Sequence, residues 1–144
     1  MKTIAICIGS GAVEKNWAYQ KWEALVGRLF VETKHWFFLI CGPNEWQDTF
    51  KLAQSIPNLL RAMVAANLPI NLVAATMKKC DFYIGNDSQI SQVASAAGIP
   101  GIVLWDKKSG DIWQPEGLEV LRGDDGVNSI SVDDVFKLVV SKLA

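Results

Sequence analysis

The chain has 144 residues, 50% of them hydrophobic and 20% charged, with a formal net charge of −1. That is the size and composition of one globular domain with a sizeable core, and the lack of a basic excess argues against a nucleic-acid binder. Three cysteines without a C-x-x-C spacing, and a single histidine, His35, make a metal site improbable. Cys7 and Cys41 end apolar runs, where reduced, buried thiols are expected, and this suits a cytoplasmic protein. No signal peptide follows Met1-Lys2, and no apolar stretch reaches the ~20 residues that span a bilayer.

Residues 3–8 are nearly continuously apolar and predict a strand buried on both faces, the habit of parallel sheets. Gly9, Ser10, Gly11 and Ala12 make a flexible turn. Residues 17–31 predict a helix, with Trp22, Leu25, Val26 and Leu29 at i, i+3, i+4 and i+7. Residues 36–41 read as a second buried strand, Gly42-Pro43-Asn44 as a turn, and 45–54 as a shorter helix. Residues 59–64 are a weaker strand candidate. The next helix starts after Pro69. It turns Ile70, Val73, Ala74 and Met77 inward and ends at Lys78 and Lys79, which suit its negative pole. Residues 81–84 are a strand.

The stretch after that strand organises the chain. Gly85 permits a turn, and Asn86, Asp87 and Ser88 all carry oxygens able to cap a helix. Ile90, Val93, Ala94 and Ala97 then share one helical face, Gly98 suits the C′ position and Pro100 stops the helix. A helix N-terminus held at the carboxyl end of a buried strand attracts anions. The same stretch serves equally as a well-capped crossover helix without a ligand. Residues 101–105 are the next strand, 106–117 a loop, 118–121 an edge strand and 123–126 a turn. Ser131 caps a last helix with Val132, Val135, Phe136, Val139 and Leu143 as its core stripe. Strands alternating with helices predict a single Rossmann-like three-layer α/β sandwich with a mainly parallel sheet, one domain over residues 1–144.

No standard phosphate motif completes itself. Gly9-Ser10-Gly11 begins like G-x-G-x-x-G, but position 14 is Glu, and no Walker A sequence occurs. Lys15 is either a solvated loop lysine or a cation that meets an anion at the helix after Ser88. Glu45 either favours the dipole of its own helix or accepts from two ribose hydroxyls. A Cys41–His35 catalytic pair is not supported, and Asp124, Asp125, Asp133 and Asp134 read as turn and cap residues.

Four segments together resemble the C-terminal domain of the heptosyltransferases, glycosyltransferase family 9, which transfer heptose from ADP-heptose to the lipopolysaccharide core. They are the small-residue turn ending in Lys15-Asn16-Trp17, the strand running into Gly42-Pro43-Asn44-Glu45, the run Asp81-Phe82-Tyr83-Ile84-Gly85-Asn86-Asp87-Ser88, and Ala96-Ala97-Gly98-Ile99-Pro100 with Trp113-Gln114-Pro115. The likeness covers residues 3–115. It implies the C-terminal half of a GT-B architecture that binds a nucleotide-diphosphate sugar, ADP-heptose or similar; because few carboxylates cluster with the anion site, no metal or other cofactor is expected. On this resemblance Lys15 meets the diphosphate and stabilises it as it departs, and Ser10 contacts phosphate. Glu45 binds the ribose, Leu68 lies near the adenine, and Asp87 and Ser88 contact the sugar or diphosphate. The family usually continues D-[ST]-G-x-x-H, where this chain has Gln89 and Gln92. Those departures leave open a degenerate nucleotide-binding or protein-interaction module, and a UDP-sugar enzyme is a third reading. The resemblance also implies a separate N-terminal domain that holds the acceptor and the catalytic acid/base. Exposed Trp46, Trp105 or Trp113 would suit the face toward that domain.

Overall fold

Side chains alternate across a strand, so each apolar run serves two cores at once. The computed structural model describes residues 1–109 and 115–144. Strands β1 (Thr3–Cys7), β2 (Trp36–Cys41), β3 (Ala62–Ala66), β4 (Phe82–Asn86), β5 (Gly101–Asp106) and β6 (Leu118–Gly123) form one parallel sheet in the order β3-β2-β1-β4-β5-β6. Ile4, Ile6, Phe37, Leu39, Phe82, Ile84, Ile102 and Leu104 face one side. There they pack on helices α1 (Tyr19–Glu32), α2 (Trp46–Ser55) and α5 (Val132–Leu143). Ala5, Cys7, Ile40, Tyr83 and Val103 face the other side, against α3 (Ile70–Met77) and α4 (Gln89–Ala97). The expected parallel α/β sandwich is therefore present. None of the described helices is long and apolar enough to cross a membrane.

The stripes expected on α1 and α5 are the buried ones: Trp22, Leu25, Val26 and Leu29, then Val135, Phe136, Val139 and Leu143. Ser131 accepts from the Asp134 N–H at 3.0 Å, and Gly98 closes α4 with a φ of 78°. Several boundaries differ from the sequence reading. The helix expected from Trp17 starts at Tyr19, because the Trp17 N–H is bonded to Asn86 Oδ1 and its indole N–H to the Ile130 carbonyl. The strand expected over 59–64 begins at Ala62. Arg61 donates to the carbonyls of Phe30, Thr33 and His35 at 3.2, 3.0 and 2.8 Å, and this holds Leu59–Arg61 in a 3-10 turn.

Gly85 is a strand residue, not a turn. An added Cβ there would meet the Tyr83 hydroxyl at 2.0 Å, so glycine is required by space and not by φ. On α3 Ile70 is 49% exposed and only Val73 and Met77 are buried. On α4 the centre of the buried face is a polar residue, Ser91. Trp105 is buried, 4% exposed, which removes it from an outer face, whereas Trp46 is 46% exposed. Trp113 and Gln114 lie outside the described residues.

Candidate functional site

The chain runs outward from β1 through β2 to β3, then crosses back to β4. The loops after β1 and β4 therefore part at the carboxyl edge of the sheet, the crevice in which open α/β sheets hold ligands. A cleft of about 410 Å³ lies there. Its walls come from the loop after β1, the turn after β2, the residues after β3 and the start of α4. Of the residues singled out in the sequence, Ser10, Glu45, Leu68, Ser88 and Gln89 line this one cleft; Lys15, Asp87 and Gln92 do not.

Glu45 is placed by the Gly42-Pro43-Asn44 turn and is the cap residue of α2, yet its side chain makes no capping bond. Its carboxylate has no hydrogen-bond or ion-pair partner among the described residues. It lies over Gly9, where an added Cβ would stand 2.3 Å from its Cγ. Two glycine-bearing turns thus leave a half-buried carboxylate facing the cleft with its acceptor capacity unspent.

Ser88 caps α4, accepting from the Ser91 N–H at 3.2 Å. Ser91 Oγ donates to the Asn86 carbonyl at 2.5 Å and lies 2.9 Å from the Tyr83 hydroxyl, so a buried hydroxyl network fixes the first turn. The N–H groups of Gln89 and Ile90 have no intrahelical partner, as in any first turn, and both residues line the cleft. Gln89 and Gln92 are exposed.

Lys15 Nζ is 3.3 Å from Asp87 Oδ2, with the lysine side chain 42% exposed and the aspartate 17%. The cation and the carboxylate expected at the anion site therefore meet each other just beyond the cleft. Ser10 is turned into its own loop: its hydroxyl sits 2.7 Å from the Ala12 carbonyl and 2.6 Å from Asn16 Oδ1.

Two thiols, Cys7 and Cys41, line the floor of the cleft, and burial favours their protonated form. Burial pushes the Cys7 thiol up to about 12, opposed by a backbone hydrogen bond from Gly9. Burial also raises Cys41. His35 lies at the opposite end of β2 from Cys41, about 20 Å along the strand, so the two form no catalytic pair. Among the described residues no group of three His, Cys, Asp or Glu side chains gathers as metal ligands.

One contributor, Asn67, was not foreseen, and Asn86, read from sequence as a possible helix cap, ends β4 and has another part. Asn67 has a positive φ of 56° and donates its N–H to the Cys41 carbonyl at 3.0 Å, which places Leu68 at the rim. Asn86, fully buried, is bonded through both ends of its amide. Its only sequence signal is an amide ending an apolar run just before two cap-type residues.

The model of glycosyltransferase family 9 (heptosyltransferase) matches residues 1–120. No curated protein matches. Among solved structures, a family 9 glycosyl transferase from Veillonella parvula superposes with a TM-score of 0.86 at 21% identity, covering 99% of this chain and 46% of its own. The E. coli heptosyltransferase WaaC with ADP-2-deoxy-2-fluoro heptose gives 0.81 at 18% identity, covering 99% and 44%. E. coli ADP-heptose lps heptosyltransferase II gives 0.85 at 18% identity, covering 99% and 48%. The chain thus spans less than half the length of each of these structures.

Proposed function

Because this chain belongs to glycosyltransferase family 9, we propose that it is the domain of a sugar transferase that binds the nucleotide-diphosphate donor, ADP-heptose or a close relative. The observation that carries this reading is the unpartnered Glu45 carboxylate in a cleft that also receives the first turn of α4. A nucleoside diphosphate needs both features. Its vicinal ribose hydroxyls donate to a carboxylate, and its phosphates accept from free N–H groups at a helix N-terminus.

In this reading Glu45 holds the ribose and Leu68 covers the base. The N–H groups after Ser88 hold the diphosphate, and Ser10 approaches the phosphates from the loop after β1. Lys15 joins them by leaving Asp87. That exchange is cheap, because a partly exposed ion pair contributes at most about 1 kcal/mol. Asp87, once released, faces the sugar. As the glycosidic bond breaks, negative charge grows on the departing diphosphate, and Lys15 with the α4 N-terminus is arranged to stabilise it. The acceptor site and the acid/base are assigned to another domain, in keeping with the half-length coverage of the solved relatives.

Calorimetric titration of ADP and UDP into the chain, with Glu45→Ala and Lys15→Ala beside it, tests the reading. ADP should bind selectively. Loss of a charged hydrogen-bond acceptor is worth about 1.5–3 kcal/mol, so Glu45→Ala should weaken ADP by roughly 10- to 100-fold. Equal binding of UDP would change the donor, and no binding of either nucleotide would overturn the assignment.

A further inference from the structure

The loop between β1 and α1 carries Ser10 and Lys15, and both its ends are tied to one side chain. Asn86 Nδ2 donates to the Ile8 carbonyl at 2.9 Å, and Asn86 Oδ1 accepts from the Trp17 N–H at 3.1 Å. Asn86 is 0% exposed, so each of these bonds replaces one that water cannot supply. It ends β4, immediately before Asp87, the partner of Lys15. Ser91, on the first turn of α4, donates to the Asn86 backbone carbonyl at 2.5 Å.

We propose that Asn86 is the positioning residue of this edge, clasping Ile8 and Trp17 so that the intervening loop closes and presents Lys15 beside Asp87 and the first turn of α4. An amide is the side chain that fits, because one end must donate and the other accept. Aspartate keeps the acceptor but loses the donor. Leucine, of similar size, loses both. The inference rests on the donor-binding reading only for what the loop then holds; the clasp itself is independent of any ligand.

Residue-resolved hydrogen exchange on the whole chain tests the clasp without ligand. In the unsubstituted protein the Trp17 amide should be protected like a strand amide, although it lies outside any regular element; exchange at the rate of an open loop would overturn the proposal. In Asn86→Ala, exchange at Trp17 should rise at least tenfold, while amides of β5 and α5 keep their rates. A uniform rise along the chain, or none at Trp17, would overturn it. Asn86→Asp should restore protection at Trp17, because the acceptor is back; failure to restore it counts against the clasp. In ADP titrations Asn86→Ala should weaken binding about tenfold. The Asn86→Ala/Lys15→Ala double variant should lose less than the sum of the two single losses, because Asn86 acts through the loop that carries Lys15 and Ser10; fully additive losses would contradict this. If the unsubstituted chain binds no ADP, the donor reading fails, and the exchange data still decide the role of Asn86.

Discussion

At Gly9 an added Cβ would stand 2.4 Å from both Cδ and Oε1 of Glu45. The obstructing atoms are the end of a flexible side chain, so Gly9→Ala should move the carboxylate and leave the backbone in place. The expected outcome is a stability change within about 0.5 kcal/mol with a loss of ADP affinity close to that of Glu45→Ala. In the Glu45→Ala background Gly9→Ala should do nothing further. Calorimetric titration and chemical denaturation of the single and double variants check this. His35, the only histidine, offers a test by pH. Its Nδ1 accepts from the Lys2 N–H at 3.2 Å. Burial, then the positive N-terminus, Lys2 and Arg61, hold its pKa below the usual 6.5, against the pull of Asp81. The unfolded chain therefore binds the proton first on acidification, and stability should fall as pH drops below about 6.5. Melting temperatures at pH 7 and 5.5 should show this fall, and His35→Gln should lessen it.

Helices α4 and α5 start with the same device and are predicted to answer differently when it is removed. Ser88 accepts from the Ser91 N–H and Ser131 from the Asp134 N–H. Losing such a cap costs about 1 kcal/mol, so Ser88→Ala and Ser131→Ala should both lower stability by that order in denaturant titrations. Only Ser88 lies on the cleft and beside the buried pair of Ser91 and Tyr83. Ser88→Ala should therefore also weaken ADP, whereas Ser131→Ala should leave affinity unchanged. An equal effect of both on binding would mean that the first turn of α4 has no part in the site. Glycines at or near the strand ends show a similar division of labour. Gly101 is confined by the Tyr83 backbone carbonyl, 2.2 Å from its added Cβ, and belongs to packing of the sheet. Gly9 is confined by a side chain and belongs to the site.

Much of the fold could be read from local patterns, because periodicity and capping are local. The runs that became β1, β2 and β5, the stripes of α1 and α5, the cap at Ser131 and a cap somewhere in 86–88 needed no long-range information; that Ser88 is the one of the three came from the structure. What was illegible depends on partners brought together by the crossover from β3 to β4. The Lys15–Asp87 pair and the Asn86 clasp leave no periodic trace. The burial of Trp105 also depends on packing from distant elements. The same crossover has a consequence for the whole molecule. The cleft draws on the ends of β1, β2 and β3 on one side of the switch and on the start of α4 on the other. A ligand that bridges these loops binds only the fully assembled sheet, so it should raise the single unfolding transition and not merely quiet a loop. At 100 times its dissociation constant ADP should add about 2.7 kcal/mol, roughly 5–10 °C in Tm for a chain of this size. EDTA should not reduce that shift, since neutralisation of the diphosphate is assigned to Lys15 and the α4 N-terminus. A shift lost on chelation would transfer that role to a metal. A shift confined to local exchange rates, with Tm unchanged, would place the ligand on one side of the switch only.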